Sequence, residues 1–217
     1  MMVPFVDVDS WSRREHFAFF QGRRNPCLSV TSRLNARRVV EYRANCKTNR
    51  LSSLLYRAVM KAVNGIPEFK MRIIDLRPVE FEYVDAAFTY VPKSSEHKLH
   101  SNCIAAWDED AKRFMDNVEN AMRLSEVNPT LCPDGGASQQ LVYLTMLRDF
   151  DFTSITNPWG DPWVDTVPRI AMGMISKDSH EFSVSVEALH SFVDGRHVAA
   201  FLQAFQHEMD AVFTWAA

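Results

Sequence analysis

Between Glu181 and Leu189 the chain alternates without a break: Phe182, Val184, Val186 and Ala188 fall on one side, Ser183, Ser185 and Glu187 on the other. A period of two sustained over this length is the pattern of a strand with one buried face. Beyond it, Val198, Phe201, Leu202, Phe205, Met209, Val212 and Phe213 recur at helical spacing. The change of period leaves room only for a tight connection, and that connection reads His190-Ser191-Phe192-Val193-Asp194-Gly195. Gly195 is expected to supply the backbone freedom such a turn needs. Imidazole titrates near neutral pH without a perturbed environment, so a histidine at a strand end is a candidate base. Taken alone, the motif also fits a satisfied strand-end histidine followed by turn chemistry at Asp194 and Gly195.

With 217 residues, 47% of them hydrophobic, the chain can build one sizeable core. No Pro/Gly/Ser-rich linker or charge block divides it, so residues 1–217 read as a single domain. A net charge of -3 with both signs interspersed offers no footprint for nucleic acid or an anionic membrane. Asp7, Asp9, Arg13, Arg14 and Glu15 interrupt the first twenty residues, which excludes a signal-peptide core, and no later run approaches a membrane span. A cytoplasmic protein is expected. Cys27, Cys46, Cys103 and Cys132 are far apart and fit reduced thiols. His97 and His100 have metal-like spacing but no carboxylate or thiolate cluster beside them, so no metal is expected.

Ser10 is placed to cap a helix over residues 11–21, whose Trp11, Phe17, Phe19 and Phe20 exceed what one narrow core stripe needs. Leu28, Val30 and Ser32 suggest a strand, residues 35–47 a helix, and residues 51–66 the clearest core helix, stopped by Pro67. Strands are expected over 70–76, 79–84 and 87–91, the first two joined by a turn around Arg77-Pro78. An amphipathic helix follows over 108–124, then a loop over 125–139 long enough to cover a cleft, and strands over 140–147 and from Ile170 to Ile175. The Asn157-Pro158-Trp159-Gly160-Asp161-Pro162-Trp163 stretch must be irregular, because each proline removes a backbone donor.

Three stretches carry a family likeness: Trp11-Ser12-Arg13-Arg14-Glu15-His16-Phe17, then Asn64-Gly65-Ile66-Pro67-Glu68-Phe69-Lys70-Met71, then His190-Ser191-Phe192-Val193-Asp194-Gly195-Arg196-His197-Val198. Together, in this order, they resemble the trimeric chloramphenicol acetyltransferases. Asp7-Val8-Asp9-x-Trp11, Asp151-Phe152-Thr153-Ser154 and Pro168-x-x-x-Met172-Gly173 are further landmarks, so the likeness covers nearly the whole chain. It implies an α/β fold, an α+β two-layer sandwich with a mixed sheet and packed helices, assembled as a homotrimer with active sites between subunits.

The resemblance also implies chemistry. His190 takes the proton from an acceptor hydroxyl as its oxygen attacks the thioester of acetyl-CoA. Thr145 stands where the family's oxyanion-binding serine is expected, and still offers an O–H donor. Asp194 pairs with a buried arginine matching Arg13, and with Gly195 supports the turn. Phe19, Phe20 and Cys27 match the acceptor-pocket region, Cys27 as a small apolar wall residue.

The departures bear on substrates. Leu189 replaces a second histidine, and Ala171 and Met174 flank Met172-Gly173 where a threonine and a lysine are usual. His100 stands at a pocket aromatic, with Asn102 nearby; Leu147-Arg148-Asp149 replaces an aromatic Pro-Trp, and Ser52 a tyrosine. On this reading Ala171, His100 and Asn102 face the acceptor, Arg148 and Met174 the coenzyme. The implied activity is O-acetyl transfer from acetyl-CoA to a small-molecule hydroxyl, with chloramphenicol, and hence antibiotic resistance, among the candidates. The alternatives are an acyltransferase with another acceptor or donor in a biosynthetic pathway, and a catalytically silent ligand-binding homologue.

Overall fold

A computed structural model describes residues 5–136 and 138–216. The chain runs α1 (Arg14–Gln21), β1 (Cys27–Asn35), α2 (Arg37–Asn45), α3 (Leu51–Asn64), a short 3-10 helix (Pro67–Lys70), then β2 (Met71–Ile74), β3 (Arg77–Glu80), β4 (Asp85–Tyr90) and β5 (Ser101–Ala105). It continues with α4 (Ala111–Val127), β6 (Leu141–Met146), β7 (Arg169–Met172), β8 (Glu181–Leu189), α5 (Gly195–Asp210) and α6 (Val212–Trp215). Six strands form one sheet in the order β1-β8-β7-β6-β4-β5, parallel at β4/β6 and β6/β7 and antiparallel elsewhere; β2 and β3 make a separate hairpin. The expected mixed sheet with packed helices is present.

The apolar face of β8 builds the core. Phe182 meets Phe205 of α5 with ring centroids 6.2 Å apart, and Phe88 of β4 meets Tyr56 of α3 at 4.9 Å. Each such fully buried side chain contributes about 1.5–3 kcal/mol of transfer free energy. The opposite face of β8 is not solvated as the alternation suggested: Ser183, Ser185 and Glu187 are all buried. The irregular segment 150–167 lies over them. Ser183 Oγ donates to the carbonyl of Phe152, and the Glu187 carboxylate accepts from the backbone and side-chain nitrogens of Asn157. Ser183 and Glu187 tolerate burial because this strap brings them partners, whereas the Ser185 hydroxyl is buried without one among the described residues.

Other expectations shift. The first helix starts at Arg14, because Ser10 Oγ donates to the Asp7 carboxylate at 2.7 Å instead of capping Trp11. The β2–β3 turn is Asp75-Leu76, both with positive φ, while Arg77 and Pro78 lie within β3. β5 arises between the expected strand at 87–91 and the expected helix at 108–124, where no strand was expected. Arg72, fully buried, donates to the carbonyls of Phe69, Met71, Gln139 and Leu141, tying the hairpin to the entry of β6; burial pushes it down to about 9.

Candidate active site

The residue after β8 is His190. Its backbone N–H donates to Pro26 O at 2.7 Å, and the N–H groups of Phe192 and Val193 return to Leu189 O at 3.0 and 2.9 Å, closing the turn. Arg13, from the residue preceding α1, reaches into this turn. Its Nε donates to Ser191 O at 2.8 Å, Nη2 to His190 O at 3.0 Å and to Asp194 Oδ1 at 2.5 Å, and Nη1 to Asp194 Oδ2 at 2.6 Å. These bonds hold the Asp194 carboxyl at about 2, below the usual 3.8. Ser191 Oγ donates to Gln21 Oε1 at 2.9 Å, and Gln21 Nε2 donates to Pro162 O at 2.8 Å, which joins turn, first helix and strap.

Behind the turn, the Asp194 N–H donates to His197 Nδ1 at 2.9 Å. His197 Nε2 lies 3.1 Å from Arg196 Nε and 3.4 Å from Glu68 Oε1. Burial lowers the His197 pKa below its ordinary value, which favours the neutral ring. Gly195 departs from expectation: it opens α5 without a left-handed φ, and a Cβ there would meet open space. The turn is shaped by the Arg13 bonds rather than by glycine freedom.

The His190 ring stacks on Phe20, with centroids 3.9 Å apart and planes 15° from parallel. Its Nδ1 is buried 3.2 Å from Asp194 Oδ1, at an angle that makes no hydrogen bond. The ring is partly exposed, so Nε2 is the nitrogen open to a substrate. Phe19 packs edge-on against Phe20 at 5.1 Å and is itself exposed. Cys27, in register with Leu189, is a half-buried thiol pushed up to about 12, first by burial, which suits a wall and not a nucleophile.

Thr145 lies elsewhere. It is in register with Ala171, and Ala171 with Ser185, so it sits two strands across from Ser185 while His190 lies five residues further along β8. The strand spacings put His190 and Thr145 roughly 20 Å apart in one chain. Thr145 instead lines a cavity of about 340 Å³ on the strap side of the sheet, with Thr89, Asn102, Tyr143, Arg169 and Leu131. The loop foreseen as a cleft cover contributes Leu131, Cys132, Pro133 and Asp134 to its wall. Asn102 is part of this wall, its Nδ2 donating to Leu131 O at 2.7 Å. His100 is exposed and outside the cavity lining, and Ala171 is buried in the sheet.

A second pocket opens at the far end of β6. It is lined by Arg43, Arg50, Lys93, Arg148, Ser52 and Gly173 among others, and by no carboxylate among the described residues. Arg50 pairs with Glu119 at 2.7 Å, and α3 starts beside it with no side-chain cap. Ser52 is 3% exposed, and its hydroxyl has no protein hydrogen bond among the described residues. Of the coenzyme-facing pair named from the sequence, Arg148 lines this pocket; Met174 is exposed outside its lining. Gly173 has no room for a side chain, since a Cβ would stand 2.2 Å from Asp151 Oδ1.

Arg169, Arg43 and Lys93 were not singled out from the sequence. Arg169 carried the one available signal, a charge at the head of the apolar run Ile170-Ala171-Met172.

The chloramphenicol acetyltransferase family model matches residues 1–206. Chloramphenicol acetyltransferase 2 of Haemophilus influenzae is 24% identical over 209 residues, 95% of this chain and 97% of that protein. Chloramphenicol acetyltransferase 3 of Escherichia coli is 26% identical over 203 residues, covering 92% and 93%. A solved chloramphenicol acetyltransferase superposes with a TM-score of 0.82 at 24% identity, over 96% of this chain and 100% of that one. A probable dihydrolipoamide acetyltransferase from Listeria monocytogenes gives 0.65 at 14% identity, over 98% and 95%.

Proposed function

The chain belongs to the chloramphenicol acetyltransferase family, and from that premise we propose that it transfers acetyl from acetyl-CoA to a hydroxyl of a small molecule, residues 1–217 acting as one acyltransferase domain. The observation that carries this reading is the Arg13 clamp on the His190 turn, which fixes the backbone on both sides of the imidazole. His190 Nε2 takes the acceptor's hydroxyl proton as that oxygen bonds to the thioester carbon. The resulting oxyanion accepts a hydrogen bond from Thr145. When the tetrahedral centre collapses, the C–S bond breaks and the CoA sulfur leaves with the proton from His190. A positioned base contributes about a hundred- to ten-thousandfold, and an oxyanion donor about a hundredfold or more.

The separation of His190 and Thr145 supports a site completed by a second copy of the chain, in a homotrimer where His190 of one copy faces Thr145 of the next. Phe19, Phe20 and Cys27 then form one wall of the acceptor pocket, and Asn102 with the Thr145 cavity the other. The basic pocket fits acetyl-CoA: four cations, a free hydroxyl and an uncapped helix start suit its phosphates, next to the strand that carries Thr145. A cytoplasmic location is part of the same reading, supported by four unpaired cysteines.

Thiol release from acetyl-CoA, followed across chloramphenicol and a panel of alcohols and amines, tests the proposal. Alcohol-dependent release that is lost in His190→Ala supports it. No release with any acceptor contradicts it.

A further inference from the structure

Tyr143, Arg169 and Glu187 stand in register across β6, β7 and β8, two residues along from the row that contains Thr145. Arg169 is 9% exposed and lines the same cavity as Thr145. Its guanidinium carbon lies 3.7 Å from the centroid of the Trp159 ring and 5.6 Å from that of Tyr143, so two rings hold it in place. Nη1 donates to Val167 O at 3.1 Å and Nη2 to Asp165 Oδ2 at 2.6 Å. A guanidinium carries five N–H donors, and no other described residue accepts from this one.

The nearby carboxylates, including Asp165, the ion-pair partner of Arg169, all take hydrogen bonds from other donors. Asp165 Oδ2 also accepts from Gly160 N at 2.7 Å. Glu187 accepts from both nitrogens of Asn157. Asp134, the carboxylate in the cavity wall, accepts from the N–H groups of Gly136 at 2.9 Å and Ser138 at 3.1 Å. Much of the remaining wall is apolar, including Ala87, Phe88, Ile104, Leu141, Leu144 and Ile170. The pair with Asp165 makes the buried charge tolerable in the free protein, and the stacked rings keep the fork in place, so little rotamer entropy is lost when a ligand binds.

We propose that the acceptor is an alcohol that also carries a carboxylate, gripped by Arg169 while its hydroxyl reacts beside Thr145. The word acceptor rests on the acetyl-transfer reading; recognition of the carboxylate does not. Diagonal neighbours on adjacent strands are about 7–8 Å apart, so the two functional groups belong at opposite ends of a compact ligand one ring long. A cavity of about 340 Å³ accommodates such a molecule.

Calorimetry on the full chain with 4-(hydroxymethyl)benzoate and its neutral isostere 4-(hydroxymethyl)benzamide tests this. The acid is expected to bind about 10- to 100-fold more tightly than the amide. That preference should collapse in Arg169→Lys, which keeps a cation for Asp165 and so keeps the strap in place. Equal binding of acid and amide, no binding of the acid, or a preference undiminished in Arg169→Lys overturns the inference. The wild-type comparison decides the matter even if the variant misfolds. Acetyl-CoA turnover is read separately: acid bound selectively but never acetylated would sink the transfer reading and leave the carboxylate site standing. Amide acetylated as efficiently as acid would do the reverse.

Discussion

Arg13 closes on Asp194 with two parallel hydrogen bonds of 2.6 and 2.5 Å, and the same guanidinium holds the carbonyls of His190 and Ser191. One residue from the start of the chain thereby sets the shape of a turn near its end. Asp194 is not hydrogen-bonded to the His190 ring; its part is to anchor the arginine that anchors the backbone.

Arg13→Ala should therefore cost about 3 kcal/mol, toward the lower end for breaking a buried pair because Asp194 retains some solvent contact. Urea unfolding measures it. An unchanged midpoint would mean that the clamp contributes nothing to the fold.

Stability should also depend on pH through Asp194, whose carboxyl sits at about 2 instead of 3.8 chiefly because of the Arg13 hydrogen bonds. A carboxyl depressed in the folded state takes its proton more readily when unfolded. Its contribution is thus fully present above about pH 4 and is lost as the pH falls towards 2, on the order of 2 kcal/mol in all. In Asp194→Asn this part of the acid limb should disappear. If the variant loses as much stability as the wild type between pH 4 and 2, the pair is not its origin.

The basic pocket gives a prediction about the donor. Arg43→Glu combined with Arg148→Glu should raise KM for acetyl-CoA about tenfold or more, the scale of a lost charge-assisted hydrogen bond. KM for S-acetylpantetheine, which has no phosphate, should not move. Equal effects on both donors would place the phosphates elsewhere.

Much of this was legible in residue order, and the exceptions have physical causes. The alternation of β8 located the strand and its apolar face, but alternation measures polarity and not exposure. Nothing in Ser183, Ser185 or Glu187 announces a strap that buries all three and hydrogen-bonds Ser183 and Glu187. The hairpin turn was misplaced onto Arg77-Pro78 because Asp75-Leu76 lacks the glycine or asparagine that usually marks consecutive positive-φ residues. Gly195 looked like a turn glycine but only begins a helix. Candidate site residues were recognisable one at a time: His190 by its place after the strand, Arg13 and Thr145 by family likeness. Their distribution over two separate regions was not, since it depends on the order of strands in the sheet. Arg169 was passed over because a charge at a strand end is ordinarily a solvated one, and only the rings of Trp159 and Tyr143 make it otherwise.

The central claim is that His190 of one copy and Thr145 of another act on the same acetyl group, and subunit mixing tests it most directly. His190→Ala and Thr145→Val should each fold and each lose most activity, by at least about a hundredfold. Unfolded together in equal amounts and refolded, they should recover about a quarter of the wild-type rate, the share of sites drawing an intact His190 from one copy and an intact Thr145 from the next. A mixture as inactive as its two folded parents would contradict the account.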